Sequence, residues 1–417
     1  MVASLVLAMQ SVLMLIAISR TGALEDAGMF SFGFANANLF LNMGRFGMRN
    51  YQVSDAVGRF SFGVYLRSRY ATVTLMMAVS TVYVLVANIL LGYGVNKMLV
   101  IVLLCALKAE DAYEDVYQAN YQRNGYLDVA SNLLTARLVM SVIVFFACMY
   151  TAHSMVFALA LSNIVCMIFI CGEIAFMRHR YGLPNGGAQQ SVEPDGASSQ
   201  VLVLLRDCFP LFIAAFASFF ITNAPKYAID ATGGDSMQAI FGYLFMPVFV
   251  VNLVANSIFQ PQVSVLAERW EAGDRAAFKA GFNRQMLLTV GIAVLCTIAA
   301  TTAGIPVLEA LYHVQLGSYA GCMAILMMGG GANALLVLLL IGITILRAQQ
   351  GVGKWYAALA PLSLIIAYTF VSRFGIPGAS ISYLMVMSIQ VMVFFVLMRH
   401  AMKHAKGSQC QSRPSVS

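Results

Sequence analysis

From Met1 to Met398 the chain is a succession of continuous apolar runs, most of them roughly 18–25 residues long, separated by short polar turns. That is the length an α-helix needs to cross a hydrocarbon core of ~30 Å at ~1.5 Å per residue. Lipid offers no hydrogen bonds, so the backbone of a spanning segment must pair internally, which leaves helices or a closed barrel. Barrel strands read as alternating segments of about 10 residues, and these runs do not alternate. Twelve windows qualify: 1–19, 27–44, 70–91, 98–120, 128–150, 154–177, 203–222, 237–260, 285–303, 319–346, 355–372 and 375–398. With 60% hydrophobic and 10% charged residues, the chain has too little polar surface for a soluble domain. The expected class is an all-α polytopic membrane protein.

The window 319–346 is longer than a bilayer requires, and Gly329-Gly330-Gly331 at its middle predicts a bend. The window 203–222 has Pro210 near its start. No basic lead-in or A-x-A-like site marks the first window as a cleaved signal peptide. The net charge of +7 is not gathered on one motif, so it gives no nucleic-acid reading. With both termini placed in the cytoplasm, nineteen Lys and Arg fall inside, including Arg45, Arg49, Arg59, Arg69, Arg178 and Arg399. Four fall outside: Arg20, Lys97, Lys226 and Arg373. This asymmetry predicts cytoplasmic ends in the cytoplasmic (inner) membrane. The Pro-, Gly- and Ser-rich stretch 181–200 reads as a cytoplasmic linker between a six-helix lobe at 1–180 and another at 201–400, with a tail at 401–417.

The two halves carry a weak duplication. Asn38-Leu39-Phe40-Leu41-Asn42 answers Asn252-Leu253-Val254-Ala255-Asn256; Arg69 and Thr74 answer Arg284 and Thr289; and Met177-Arg178-His179 answers Met398-Arg399-His400. Because six is even, the repeats run parallel. Transporters of that plan put substrate between halves that rock to alternate access.

Charge within an apolar window is costly and faces protein or water. In 98–120, Lys108, Asp111, Asp115, Gln118 and Gln122 step by three and four and share one helical face, with Glu110, Glu114, Tyr117 and Tyr121 beside it. Two readings stand for Lys108 and Asp111. Either they line a cavity, Lys108 meeting an anionic substrate while Asp111 or Glu110 carries a coupling cation, or they neutralise each other. Glu114 and Asp115 are expected to protrude into the cytoplasm. Arg137 needs a carboxylate of the neighbouring span or a substrate phosphate. Arg20 and Lys226 close the outer ends of corresponding windows, either snorkelling or facing each other across a cleft. Asn38/Asn42 and Asn252/Asn256 are interhelical glue or a sugar-recognising stripe. His400 and His404 on a cytoplasmic tail do not make a metal site, and the eight cysteines lack metal spacing. With no P-loop, nucleophile elbow or H-E-x-x-H, neither an enzyme nor a cofactor is expected.

Several stretches resemble the polysaccharide-transporter branch of the MOP exporter superfamily, the O-antigen-type flippases. They are Ser19-Arg20-Thr21-Gly22 with Gly28-Met29-Phe30, Arg45-Phe46-Gly47-Met48-Arg49 with Gln52-Val53-Ser54-Asp55, and Asn223-Ala224-Pro225-Lys226-Tyr227. Gly304-Ile305-Pro306-Val307-Leu308 and Gly375-Ile376-Pro377-Gly378-Ala379-Ser380 complete the series. The resemblance implies a MATE/MOP-like fold of two pseudo-symmetric lobes around a basic cavity. It implies flipping of polyprenyl-diphosphate-linked oligosaccharide for surface polysaccharide synthesis, with membrane lipids and a glycan polymerase or assembly machinery as partners. Arg20 and Lys226 map onto cavity-lining basic positions, and Arg137 and Lys108 join them in attracting the diphosphate. Relatives usually carry a polar, basic lead-in before the first helix, whereas Met1 here already stands in apolar sequence, a departure from the family. The alternative is a cation-coupled multidrug exporter of the same superfamily, which should have carboxylates dominating its outer cavity. The Gly44–Arg59 stretch does not match the loop signature of major-facilitator transporters.

Overall fold

The computed structural model describes residues 2–55, 58–183, 194–349 and 351–408. Among these, every regular element is helical. The order is α1 (Val2–Thr21), α2 (Leu24–Arg45), α3 (Met48–Ser54), α4 (Phe62–Leu91), α5 (Val95–Arg123), α6 (Leu127–Ala152), α7 (Met155–Tyr181), α8 (Pro194–Thr232), α9 (Gly234–Phe245), α10 (Val248–Glu271), α11 (Arg275–Ala299), α12 (Ile305–Tyr312), α13 (Ala320–Ile345) and α14 (Val352–Ser408). Each of the twelve apolar windows falls on one of these helices or a pair of them. The protein is a multi-pass membrane protein, and among the described residues eight helical segments are long and apolar enough to span by length and composition alone. α5 fails that composition test because its centre is charged.

Two compact units form: residues 1–223 with 234–239, and 224–233 with 240–417. In the first, α5 is the hub, packed by α2, α4, α6 and α7, while α1 lies on α6 and α2. Almost all of α5 from Leu104 to Tyr121 is buried. The short α3 lies across the end of α5, where Gln52 Nε2 donates to the Val116 carbonyl at 3.1 Å. The turn from α2 into α3 uses two left-handed residues, Phe46 and Gly47. Glycine suits the second, since its φ is +70° and a Cβ there would sit 2.8 Å from Leu211. Phe46 stacks on Phe212 with centroids 4.5 Å apart. Residues 234–239 also belong to this unit: Lys97 Nζ lies 2.6 Å from Asp235 Oδ1 and 4.5 Å from the Tyr93 ring centroid.

In the second unit α13 is the hub, packed by α10, α11 and α14. The expected bend at Gly329-Gly330-Gly331 is absent; α13 is one unbroken helix. The glycines instead let three neighbours approach. A Cβ on Gly329 would meet the Tyr383 ring at 2.5 Å, one on Gly330 would meet Val248 at 2.9 Å, and one on Gly331 would meet Ala293 at 2.5 Å. The break falls at Gly375, whose φ of 61° and ψ of −131° divide α14, and Pro377 sits in the first turn of the following half, where its missing N–H costs nothing. After α11 the chain does not stop at 303 but passes through a π-helical turn, Ala300–Gly304, into α12. Of the expected linker at 181–200, residues 184–193 lie outside the described ones and α8 begins at Pro194. The tail beyond 408 also lies outside them.

Candidate functional site

The charged face of α5 folds into two buried clusters. At mid-helix, Lys108 Nζ lies 2.7 Å from Asp111 Oδ2 and donates to Gln10 Oε1 of α1 at 3.0 Å. It also sits 4.9 Å from the Phe34 ring centroid. From α6, Arg137 Nη2 reaches both Asp111 Oδ1 at 2.6 Å and Glu114 Oε2 at 2.7 Å. Gln118 Nε2 then bridges Glu114 Oε1 at 3.3 Å and Glu173 Oε1 of α7 at 3.0 Å. Glu110 is buried alongside, and its Oε2 has no hydrogen-bond partner.

The charge balance of this cluster is uneven. Lys108 and Arg137 supply two positive charges against four carboxyl groups, Glu110, Asp111, Glu114 and Glu173, every one of them buried. An unpaired carboxylate in a dry interior is strongly disfavoured. Gln118 links the Glu114 and Glu173 carboxyls, so full charge balance in this cluster requires protons on the carboxyls or a bound cation.

One turn on, the balance reverses. Asp115 Oδ1 accepts from Arg49 Nη1 at 2.9 Å and its Oδ2 from Arg69 Nη2 at 3.0 Å. Arg49 also donates to Gln122 Oε1 at 3.2 Å. Arg69 Nη1 donates to the Gly44 carbonyl at 2.6 Å, which satisfies and neutralises the negative end of α2.

Glu114 and Asp115 are thus not cytoplasmic protrusions; their side chains are 2% and 3% exposed. Their guanidinium partners come from α3, α4 and α6, distant in sequence, so helical spacing on α5 could not reveal them. Of the two readings for Lys108, Asp111 and Arg137, the contacts are those of a mutual ion-pair network. Glu173, Gln10 and Arg69 were missed. Glu173 was detectable: it is an acid within the apolar window 154–177, the same signal that singled out Arg137.

Asn38 and Asn42 donate to carbonyls of their own helix, those of Phe34 at 2.8 Å and Asn38 at 2.9 Å, rather than gluing helices together. Asn252 Oδ1 accepts from Asn333 Nδ2 at 3.2 Å and so ties α10 to α13. The Asn256 and His404 side chains lie outside the described ones. Arg20 is exposed in the last turn of α1 in the first unit. Lys226 belongs to the second. It does not close a helix end, because α8 continues to Thr232. It is buried, 7% exposed, with its Nζ 5.4 Å from the Phe245 ring centroid and no carboxylate partner among the described residues.

No family model matches the sequence, and no curated protein does either. Solved structures do resemble the fold. An inward-facing multidrug resistance MATE family transporter of the MOP superfamily aligns with a TM-score of 0.71 at 14% identity, over 97% of this chain and 96% of that one. A mutant of the Vibrio cholerae MATE transporter VcmN aligns at 0.63 and 13% identity over 97% and 94%. A MOP superfamily transporter from Pyrococcus furiosus, described as having a binding pocket of reversed polarity, aligns at 0.58 and 14% identity over 97% and 94%. The fold is MATE/MOP-like from end to end. At these identities the likeness establishes the architecture alone.

Proposed function

We propose that the chain is a cation-coupled exporter of the MOP type that works by alternating access. The observation that carries this reading is the excess of buried carboxyl groups over cations around α5. A transporter that exchanges a driving cation for its solute needs a dry site whose charge is complete only when the cation is bound. Glu110, Glu114 and Glu173 supply that deficit, and Asp111, clamped by Lys108 and Arg137, sets their positions. Structural neighbours described as multidrug transporters support an exporter of that class. The test is reconstitution in liposomes loaded with a cationic amphiphilic dye. Efflux is expected when an inward proton or sodium gradient is imposed, and the Glu114→Gln/Glu173→Gln double variant should lose the gradient dependence. Efflux that ignores both gradients in the wild type would reject coupling.

A second reading keeps the lipid-linked oligosaccharide as substrate, and Lys226 favours it. A buried ammonium resting on an aromatic ring without a carboxylate leaves room for an anionic group such as a diphosphate. Arg20 and the Asn38, Asn42 and Asn252 amides belong to that proposal as groups for diphosphate and glycan. Flipping of a fluorescent polyprenyl-diphosphate glycan that is lost in Lys226→Ala would establish it over the multidrug reading.

A further inference from the structure

α4 and α7 both pack on α5 but make little contact with each other. A cavity of about 630 Å³ lies on the α5–α7 flank of the first unit, lined by Tyr113, Tyr117, Cys171, Ala175, Arg178 and His179. A hydrogen-bonded chain links this wall to Tyr70 of α4: the Tyr70 hydroxyl lies 3.2 Å from that of Tyr113, which lies 3.2 Å from that of Tyr117. Two hydrogen bonds use two of the three hydroxyl protons, so one remains to donate to an outside acceptor. Arg178 and His179 stand exposed in the last turn of α7, and neither has an acidic partner among the described residues. On the neighbouring helices α4 and α7, Tyr70, Leu75, Ile168 and Phe176 are exposed apolar side chains. Cations and a phenolic donor above an apolar slot match a molecule with an anionic head and an acyl tail.

The second unit repeats the device. α11 and α14 flank the hub α13 as α4 and α7 flank α5. The repeat that aligns Met177-Arg178-His179 with Met398-Arg399-His400 places a smaller cavity of about 70 Å³ there, bordered by Lys279, Asn283, Phe395 and Arg399. Both cavities are bordered by cations at the helix end that carries the repeated Met-Arg-His sequence.

We infer that the cleft on the α5–α7 flank is a binding site for an anionic phospholipid, its phosphate held by Arg178, His179 and the Tyr70–Tyr113–Tyr117 hydroxyl chain and its acyl chains lying along the exposed apolar flank. The orientation expected from the Lys and Arg distribution places this end at the cytoplasmic leaflet, where anionic lipids attract Lys and Arg. The site is separate from the carboxyl cluster and does not depend on which solute the protein moves.

The test uses full-length protein in detergent. Native mass spectrometry should show phosphatidylglycerol retained and phosphatidylcholine not. Arg178→Ala/His179→Ala should retain at least fivefold less phosphatidylglycerol. Ala175→Trp, which fills the cavity without touching charge, should do the same. Cys171 is the exposed thiol of the cleft, so phosphatidylglycerol should slow its maleimide labelling in the wild type, a readout that stands even if a variant fails to fold. Equal retention by the wild type and both variants, or unprotected Cys171, would overturn the site. Displacement of the lipid by millimolar inorganic phosphate would assign the cations to a free anion and overturn the lipid.

Discussion

At the scale of single residues, Arg137 carries the most. One terminal nitrogen clamps Asp111 and Glu114 together, while Nε and Nη1 are buried without partners. Breaking one partner of a buried ion network costs about 3–5 kcal/mol because the remaining charges stay buried. Arg137→Ala should lose about that much in denaturant unfolding of the detergent-solubilised protein, and a loss below about 1 kcal/mol would contradict the network. Asp55 works differently, in the loop after α3. Its Oδ1 accepts from the backbone N–H groups of Gly58 and Arg59, each at 3.0 Å, and its Oδ2 from Phe60 N–H and the Tyr65 hydroxyl, each at 3.3 Å. Burial alone pushes this carboxyl up, but the Arg59, Phe60 and Tyr65 donors outweigh it and hold it below the ordinary carboxylate value. A group lowered on folding contributes stability above the unfolded value of about 3.9 and loses it as pH falls through the folded one. Asp55→Asn should therefore unfold more easily than wild type at pH 7, with the difference closing in thermal melts below about pH 3.

At the scale of elements, the hub helices explain which readings survive. All twelve apolar windows lie on helices because backbone pairing in lipid permits little else, so length and hydropathy were enough. The charged stripe of α5 was equally legible from its three–four spacing. Its partners were not, since Arg69, Arg137 and Glu173 come from other helices and only packing selects them. α13 shows the opposite failure. A run of three glycines reads as a flexible point, yet Gly329, Gly330 and Gly331 face three different helices at contact distance. Gly331→Ala should destabilise by about 1–3 kcal/mol through overpacking against Ala293. The Gly331→Ala/Ala293→Gly pair should recover most of that loss in the same melts. Additive effects would mean that the close approach is not what the glycine serves.

At the scale of the whole molecule, two units of unrelated charge are built on one helical plan. The hub of the first is charged and short of cations, while the hub of the second, α13, carries no acidic or basic residue. A device that couples to a cation needs only one such deficit, and this chain concentrates it around Glu110, Glu114 and Glu173. The most direct measurement is the charge displaced by reconstituted protein on a solid-supported membrane after a jump in proton or sodium concentration, without substrate. Wild type should give a transient current, which Glu114→Gln/Glu173→Gln reduces at least tenfold while Lys226→Ala leaves it in place. A wild-type current that the double variant reproduces in full would show that the α5 cluster is structural and that the coupling site lies elsewhere.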